Sequence, residues 1–271
     1  MVRRLAFTVT DEDMEDVLDT LLPLVPQGVY QLPAEGGTVE LAAFDTAGDL
    51  PPLAELEAAI GPQLLGAGEE DAPDDAGERR VQYSRRAPVA GRVAIRASDA
   101  PRLEGDGLLD LIIDSPGGAF GSGNHPTTRM CLELLLGIEP GGSLADLGCG
   151  AGVLAIAAAM LGWAPVFAID HELSAVDAVV ANARRNGVEL EAAQGDLLVV
   201  PPPRASLLAA NVPIAVHLHL ADVLPDEVEH VIVSGIVAHH APEVVAAYAR
   251  RGLDIADKRD GPGWIAILLE R

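Results

Sequence analysis

Residues 144–170, LADLGCGAGVLAIAAAMLGWAPVFAID, decide the fold of this chain. A short apolar run leads into a turn in which Gly148, Gly150 and Gly152 alternate. A long apolar run follows, and a second short apolar run ends at Asp170. Strand, glycine turn, helix and strand form the first unit of a doubly wound α/β sheet, because glycines allow the tight turn and the close approach of a ligand to the backbone.

The spacing of this turn distinguishes two classes of nucleoside cofactor. A dinucleotide fingerprint, G-x-G-x-x-G, requires a third glycine at position 153, where the chain has Val153. Asp146 lies two residues before the first glycine. A carboxylate there would repel a pyrophosphate but attract the ammonium and sulfonium groups of S-adenosylmethionine. Asp170 follows Gly148 by 22 residues, where it can accept hydrogen bonds from both ribose hydroxyls. We therefore predict an S-adenosylmethionine site, with a packing turn or a dinucleotide site as alternatives.

A second glycine-rich stretch, 114–128 (DSPGGAFGSGNHPTT), precedes a helical pattern. Asn124 is the predicted N-cap of this helix, and Pro126 suits its first turn. Thr127 and Thr128 would then present hydroxyls and backbone N–H groups to a ligand. The stretch therefore extends the predicted cofactor site.

These two motifs resemble those of the ribosomal protein L11 methyltransferase family (PrmA-like). The family pattern is close to D-P-G-x-A-F-G-T-G-x-H-x-T-T, followed by D-x-G-C-G-S-G-I-L-A-I-A-A. The resemblance covers roughly residues 114–271 and is faint before them. Ser115 and Gly118 interrupt the first motif, while Ser122 and Ala151 replace a threonine and a serine. These exchanges among small residues leave the cofactor prediction unchanged.

The resemblance implies a fold and several site residues. The fold is a Rossmann-like, seven-stranded doubly wound sheet whose last hairpin is antiparallel, whereas spacing alone implies only an α/β fold. Phe120, Thr127 and Thr128 would close over the cofactor. Asp196 follows the third predicted strand of the sheet, where acids in this fold class often lie beside the adenine, although a solvated loop acid is the alternative. Asn211 matches the family's A-N-[ILV] segment, which lies near the methyl donor and the target amine.

The segment Asn211-Val212-Pro213-Ile214 also indicates which nitrogen is methylated. Enzymes that methylate side-chain amides or base amino groups tend to carry Asn/Asp-Pro-Pro-Tyr/Phe, which grips a planar, weakly nucleophilic nitrogen. This segment has only one of the two prolines and lacks the aromatic residue, and an aliphatic amine needs neither a second proline nor an aromatic residue. Asn211 could also serve as a helix cap, and both roles can hold at once.

The composition limits the partners. The formal net charge is −23 and the isoelectric point is about 4.4, so the surface repels phosphate backbones and direct binding of nucleic acid is not expected. The same charge would attract a basic ribosomal protein, although charge alone favours solubility or adaptation to salt as its explanation. The apolar run 153–169 is short for a membrane span and contains Gly162 and Pro165, so no membrane association is expected.

The cysteines and histidines predict neither a metal site nor a disulfide. Cys131 and Cys149 lie in a predicted helix and in the glycine turn, and they are expected to be buried free thiols of a cytoplasmic protein. His217 and His219 would point to different faces of a helix. Neither these two histidines nor the pair at 239–240 is accompanied by acids or cysteines at the spacing of a metal-ligand set.

Three regions are predicted along the chain. Residues 1–65 have a strand–helix–strand–strand–helix pattern that predicts a small α+β domain, 66–90 is a predicted acidic and basic linker, and 91–271 is the methyltransferase domain. The resemblance implies that the first domain recognises the protein substrate, while a stabilising or dimerising appendage is the alternative. Periodicity predicts strands near 29–32, 38–44, 93–95, 108–113, 189–194, 206–210, 231–234, 253–258 and 264–269, and helices near 51–60, 174–186 (capped by Ser174) and 243–250.

The leading hypothesis is an S-adenosylmethionine-dependent protein N-methyltransferase that acts on lysine side chains or the amino terminus of a basic large-subunit ribosomal protein. The basic stretch 79–86 has no tryptophan, unlike the family, which leaves the substrate open. The alternatives are therefore a methyltransferase for another protein or a small molecule, and a non-catalytic module that binds the cofactor and a partner.

Overall fold

A computed structural model describes most of the chain, which divides into two compact units, Met1–Ala87 and Pro88–Arg271. The described residues are 2–22, 24–25, 29–32, 37–45, 50–72, 81–83, 90–98, 102, 105, 107–114, 125–261 and 263–271.

The amino-terminal unit is an antiparallel sheet with two helices, and its first five elements follow the predicted order. Leu5, Phe7 and Val9 alternate along the first strand and are fully buried, as their spacing predicts. The strands are β1 (Val2–Thr10), β2 (Val29–Leu32), β3 (Thr38–Asp45), β4 (Gly66–Ala72) and β5 (Val81–Tyr83), in the order β4-β1-β3-β2-β5, and the helices are α1 (Met14–Leu21) and α2 (Leu53–Ile60).

Of the linker predicted for 66–90, residues 73–80 and 84–89 lie outside the described residues, and 81–83 form β5. Residues 66–72 form strand β4, which corrects that part of the prediction. Its residues pair with β1 in an antiparallel ladder at the edge of the sheet. Arg3 of β1 forms an ion pair with Glu69, and Arg4 pairs with Glu70. The acidic residues that suggested a solvated linker therefore neutralise arginines across the ladder, and no local pattern reveals such distant partners.

The carboxy-terminal unit contains the predicted seven-stranded sheet. Its strands are β8 (Leu144–Leu147), β9 (Val166–Asp170), β10 (Glu191–Gln194), β11 (Leu207–Asn211), β12 (His230–Val237), β13 (Asp254–Asp260) and β14 (Trp264–Glu270), in the order β10-β9-β8-β11-β12-β14-β13. Neighbours from β10 to β12 are parallel, and β14 is antiparallel to both β12 and β13. The strand order reverses between β8 and β11, and ligands bind at the carboxyl ends of the strands beside such a reversal.

Helices cover both faces of this sheet. Alternate strand residues such as Leu144 and Ala145 belong to two separate buried clusters, one on each face. Burial on both faces explains why the inner strands of this sheet are almost continuously apolar, whereas the two edge strands, β10 and β13, are largely exposed and more polar. The remaining elements of the unit are β6 (Val93–Arg96), which pairs in parallel with β7 (Leu109–Ile112), and the helices α3 (Pro126–Leu135), α4 (Val153–Leu161), α5 (Leu173–Asn186), α6 (Ile214–Asp222) and α7 (Ala241–Ala249).

Two predicted helix caps are wrong. Helix α3 is capped by His125, whose side chain accepts a hydrogen bond from the Thr127 N–H, while Asn124 lies outside the described residues. Glu172 occupies the N-cap of α5, so Ser174 lies inside the first turn. Among the described residues, the helices are all too short or too polar to cross a membrane.

Candidate functional site

The glycine turn follows β8 at the carboxyl edge of the sheet. Gly148, Gly150 and Gly152 have φ values of 74°, 51° and 89°. A Cβ on Gly152 would lie 2.2 Å from Cγ2 of Val179 on α5, so only glycine fits this position at the start of α4. The turn therefore presents bare backbone beside the end of β9.

Asp170 ends β9 beside this turn and is only 7% exposed. Its Oδ2 accepts a hydrogen bond from the Gly150 N–H (2.9 Å), and its Oδ1 accepts one from the Glu172 N–H (3.0 Å). The exposed ring of His171 also lies 3.2 Å from Oδ1. A carboxylate has about four acceptor positions, so Asp170 can accept one ribose hydroxyl directly and a second by displacing the exposed imidazole.

Asp146 is buried in β8, beneath the turn. It is 1% exposed, and its Oδ2 accepts a hydrogen bond from the Ala155 N–H of α4 (2.9 Å). Burial raises the pKa of Asp146 to about 7, while the hydrogen bond from Ala155 opposes that rise. A cationic ligand nearby would favour the charged carboxylate and lower this pKa. The site is therefore suited to a positively charged cofactor.

The start of α3 is held by His125. Its Nδ1 lies 2.6 Å from the Thr127 hydroxyl oxygen, and its ring packs edge-on against Trp264 with centroids 5.1 Å apart. Burial lowers the pKa of His125 to about 4, which keeps Nδ1 free to accept the capping hydrogen bond. Thr127 and Thr128 are buried. The Thr127 hydroxyl is thus bound to protein, and predicted Phe120 lies outside the described residues.

Asn182 was not singled out from the sequence, although it connects two parts of the site. It is fully buried on α5, and its Nδ2 donates hydrogen bonds to the carbonyls of Asp114 (2.9 Å) and Ala151 (3.0 Å). Its Oδ1 accepts from the Asp114 N–H (3.1 Å). Asn182 therefore ties the start of the first glycine-rich stretch to the glycine turn. Asn182 shares a helix face with Ala175 and Ala178, which are buried. This spacing predicts a buried polar side chain at Asn182 and could have identified it from the sequence.

Asp196 and Asn211 follow the next two strands at the same edge of the sheet. Asp196 is exposed, and its Oδ1 accepts a hydrogen bond from the Leu198 N–H (2.9 Å) in the turn after β10. Asn211 ends β11 and is partly buried. Pro213 occupies the N-cap of α6, so the alternative of Asn211 as that cap is wrong. Within the described part of the chain, the Asn211 side chain makes no hydrogen bond and remains available to a ligand.

The structure thus places Asp146, Gly148, Gly150, Asp170, Asp196 and Asn211 at one edge of the sheet, around the reversal of strand order. Bare backbone, a buried acid beneath it and a carboxylate at the end of β9 suit the nucleoside and the positive charges of S-adenosylmethionine. With an antiparallel β14 between β12 and β13, these features match the fold and cofactor site expected of class I S-adenosylmethionine-dependent methyltransferases.

The particular family follows from comparison with known proteins. Residues 81–271 match the family model described as "Ribosomal protein L11 methyltransferase (PrmA)", and the chain belongs to this family. The ribosomal protein L11 methyltransferase of Methylococcus capsulatus is 31% identical over 98% of this chain and 98% of its own length. That of Desulforamulus reducens is 37% identical, but the match covers 69% of this chain and 63% of the relative.

A solved structure agrees with this assignment. The ribosomal protein L11 methylase of Lactobacillus delbrueckii subsp. bulgaricus superposes with a TM-score of 0.60 and is 29% identical in sequence. The alignment covers 68% of this chain and 96% of that one. The predicted family and fold class are therefore confirmed.

Proposed function

We propose that this chain transfers methyl groups from S-adenosylmethionine to amino groups of a ribosomal protein. Family membership and the names of the relatives support ribosomal protein L11 as the substrate. The observation that carries the proposal is the Asp170 carboxylate, held by the Gly150 N–H at the carboxyl edge beside the reversal of strand order. This pairing fixes an acceptor for the ribose beside a turn whose glycines carry no side chains.

The cofactor supplies an electrophilic methyl group on its sulfonium when bound. The chain contributes binding and alignment: Asp170 holds the ribose, Gly148 and Gly150 admit the cofactor to the backbone, and Asp146 favours its positive charge. Alignment of donor and acceptor, with exclusion of water, is the main source of rate in such displacements. We assign Asn211 to the mouth of the site, where its free amide faces the incoming amine.

Further roles extend the site beyond these residues. Phe120, Thr127 and Thr128 would close over the cofactor, and the Asp196 carboxylate would accept from the adenine amino group. The hydroxyl and the N–H of Thr127 are both already paired with His125, so Thr127 would act through its position rather than through a free donor.

The substrate nitrogen is an aliphatic amine. The loop after β11 has a single proline at position 213 and an isoleucine where amide and base methyltransferases place an aromatic residue. An amine needs no such clamp once deprotonated, and we infer that it loses its proton to solvent before transfer. The rings of His125 and His217 are both held by hydrogen bonds within the protein, and burial lowers the pKa of each to about 4, which argues against either as the base.

The partner is a basic protein rather than a nucleic acid. The net charge of −23 attracts a basic ribosomal protein and repels a phosphate backbone. The amino-terminal unit would recognise this substrate, and the reaction would take place in the cytoplasm, where ribosomal proteins are made.

Mass spectrometry of purified L11 tests the proposal. After incubation with the chain and S-adenosylmethionine, L11 should gain methyl groups on lysine side chains or at its amino terminus, and the Asp170→Ala variant should add far fewer in the same time. Methylation of glutamine or asparagine side chains would contradict the predicted amine, and unmodified L11 would contradict the substrate.

A further inference from the structure

The loop that carries Asn211 is confined between two glycines. Its next residue, Val212, lies so close to the glycine turn that a Cβ on Gly148 would be 2.6 Å from Val212 Cγ1. On the other side, a Cβ on Gly235 of β12 would lie 2.6 Å from the Val212 nitrogen and 2.9 Å from the carbonyl carbon of Asn211. Gly235 has a φ of 76°, so glycine is required there for both conformation and space. Neither neighbour leaves the loop room to move toward it.

Strand β12 is shaped to meet this loop. Its register against β14 shifts between Val233 and Ile236, which marks a bulge at Ser234 and Gly235. The Ser234 carbonyl accepts a hydrogen bond from the Val212 N–H (3.1 Å). The bulge therefore provides both the contact surface and an acceptor for the loop.

A buried histidine reaches the same acceptor from the helix that follows the loop. His217 lies on α6 and has no exposed surface. Its Nε2 lies 2.8 Å from the Ser234 carbonyl oxygen, so Nε2 carries the ring proton and donates it to this bond. The Tyr248 hydroxyl of α7 lies 3.5 Å from Nδ1, and the two rings meet edge-on. The ring therefore ties α6 to the carbonyl that also holds Val212.

We propose that His217 and Gly235 are positioning residues for methyl transfer, which fix the Asn211–Val212 backbone against the glycine turn. This inference rests on the proposed function. The Ser234 carbonyl is the shared element, because it binds the loop through Val212 and the following helix through His217. Loss of the ring donor would free the start of α6 and loosen Asn211 at the mouth, while Asp170 and the glycine turn would stay in place. Transfer should therefore suffer more than cofactor binding.

The test compares His217→Leu, which keeps apolar bulk without a donor, with His217→Gln, whose amide can donate to the Ser234 carbonyl. His219→Leu on the same helix is the matched control, because His219 is partly exposed and lies outside this contact. Four quantities are measured for each variant: kcat and KM for methylation of L11, the calorimetric Kd of S-adenosylhomocysteine, and the rate of hydrogen–deuterium exchange at the Val212 amide.

His217→Leu should lower kcat by about 10- to 100-fold, as expected when a reacting group is misplaced. It should keep the Kd within about twofold and speed exchange at Val212, because the Asp170 side of the site is intact while the acceptor of Val212 is loosened. His217→Gln should restore most of the loss, and His219→Leu should behave as the wild type. If His217→Leu does not fold, Gly235→Ala takes its place with the same expected results.

Unchanged kcat and exchange in the folded His217→Leu variant would overturn the positioning role, as would an equal loss in His219→Leu. A wild-type chain that methylates nothing would instead overturn the proposed function. Exchange at Val212 is read without substrate, so the two failures are distinguishable.

Discussion

Replacement of Asp170 by alanine removes the carboxylate assigned to the ribose. The ribose would lose its hydrogen bonds to a charged acceptor, and we expect a net loss of about 1–3 kcal/mol in binding free energy. Because about 1.4 kcal/mol corresponds to a tenfold change, the Kd should rise by about 5- to 140-fold. Asp170→Asn keeps the shape and one acceptor oxygen but loses the charge, so its Kd should lie between those of the wild type and Asp170→Ala.

The same carboxylate also holds the turn, so stability must be measured with affinity. Loss of the acceptor for the Gly150 N–H should lower the free energy of unfolding by about 1–3 kcal/mol, because this buried donor is left unpaired. Calorimetric titration with S-adenosylhomocysteine gives the Kd, and denaturation confirms that each variant is folded at the assay temperature. Asp177→Ala, an exposed acid on α5, controls for the change in net charge. A folded Asp170→Ala protein whose Kd stays within about twofold of the wild type would refute the ribose assignment.

Three further predictions concern packing, a buried hydrogen-bond network and pH. Gly152→Ala should lower the free energy of unfolding by about 2–4 kcal/mol, through backbone strain and overlap with α5. Gly162→Ala is the control, because its Cβ would lie in open space, and it should cost only about 1 kcal/mol of strain. Equal losses in denaturation would contradict the overlap. Asn182→Leu removes three buried hydrogen bonds to the backbone and should cost about 2–4 kcal/mol in the same assay. A loss below about 1 kcal/mol would show that these bonds contribute little. The pKa of Asp146 is raised to about 7 in the folded protein, so this carboxyl should lower the free energy of unfolding as pH rises from about 4 to about 7. Binding of the cationic cofactor at about pH 6 should release a proton from this carboxyl. Calorimetry in two buffers should detect that proton in the wild type but not in Asp146→Asn.

The sheet that carries the site was predictable because its determinants are local. A glycine turn between two apolar runs, with an acid at the end of the second run, specifies strand, helix and strand within 27 residues, 144–170. The order of the later strands came from the family resemblance, since spacing gives only the class of fold. The position of Asp170 at a strand end followed from the local apolar run, whereas the role of Asn211 came from the family resemblance.

The features that were missed depend on distant partners. Residues 66–72 have the composition of a linker, yet they form β4 because Arg3 and Arg4 lie opposite their acids in β1. His125 caps α3 with a ring that Trp264 buries from far along the chain. His217 is one of several histidines in the sequence, and only the fold places it against the carbonyl of Ser234. Local periodicity can predict which face of an element such residues occupy, but it does not identify the distant residues that they contact.

The most direct test of the central claim uses S-adenosylmethionine labelled on its methyl group, the purified chain and ribosomal proteins from cells that lack this chain. One basic band, ribosomal protein L11, should take up label on its amino groups. Asp170→Ala should reduce the rate of labelling. Label on other proteins would retain the chemistry and discard the substrate. Absence of label from every band, with cofactor binding intact by calorimetry, would contradict the claim that this chain is a methyltransferase of ribosomal proteins.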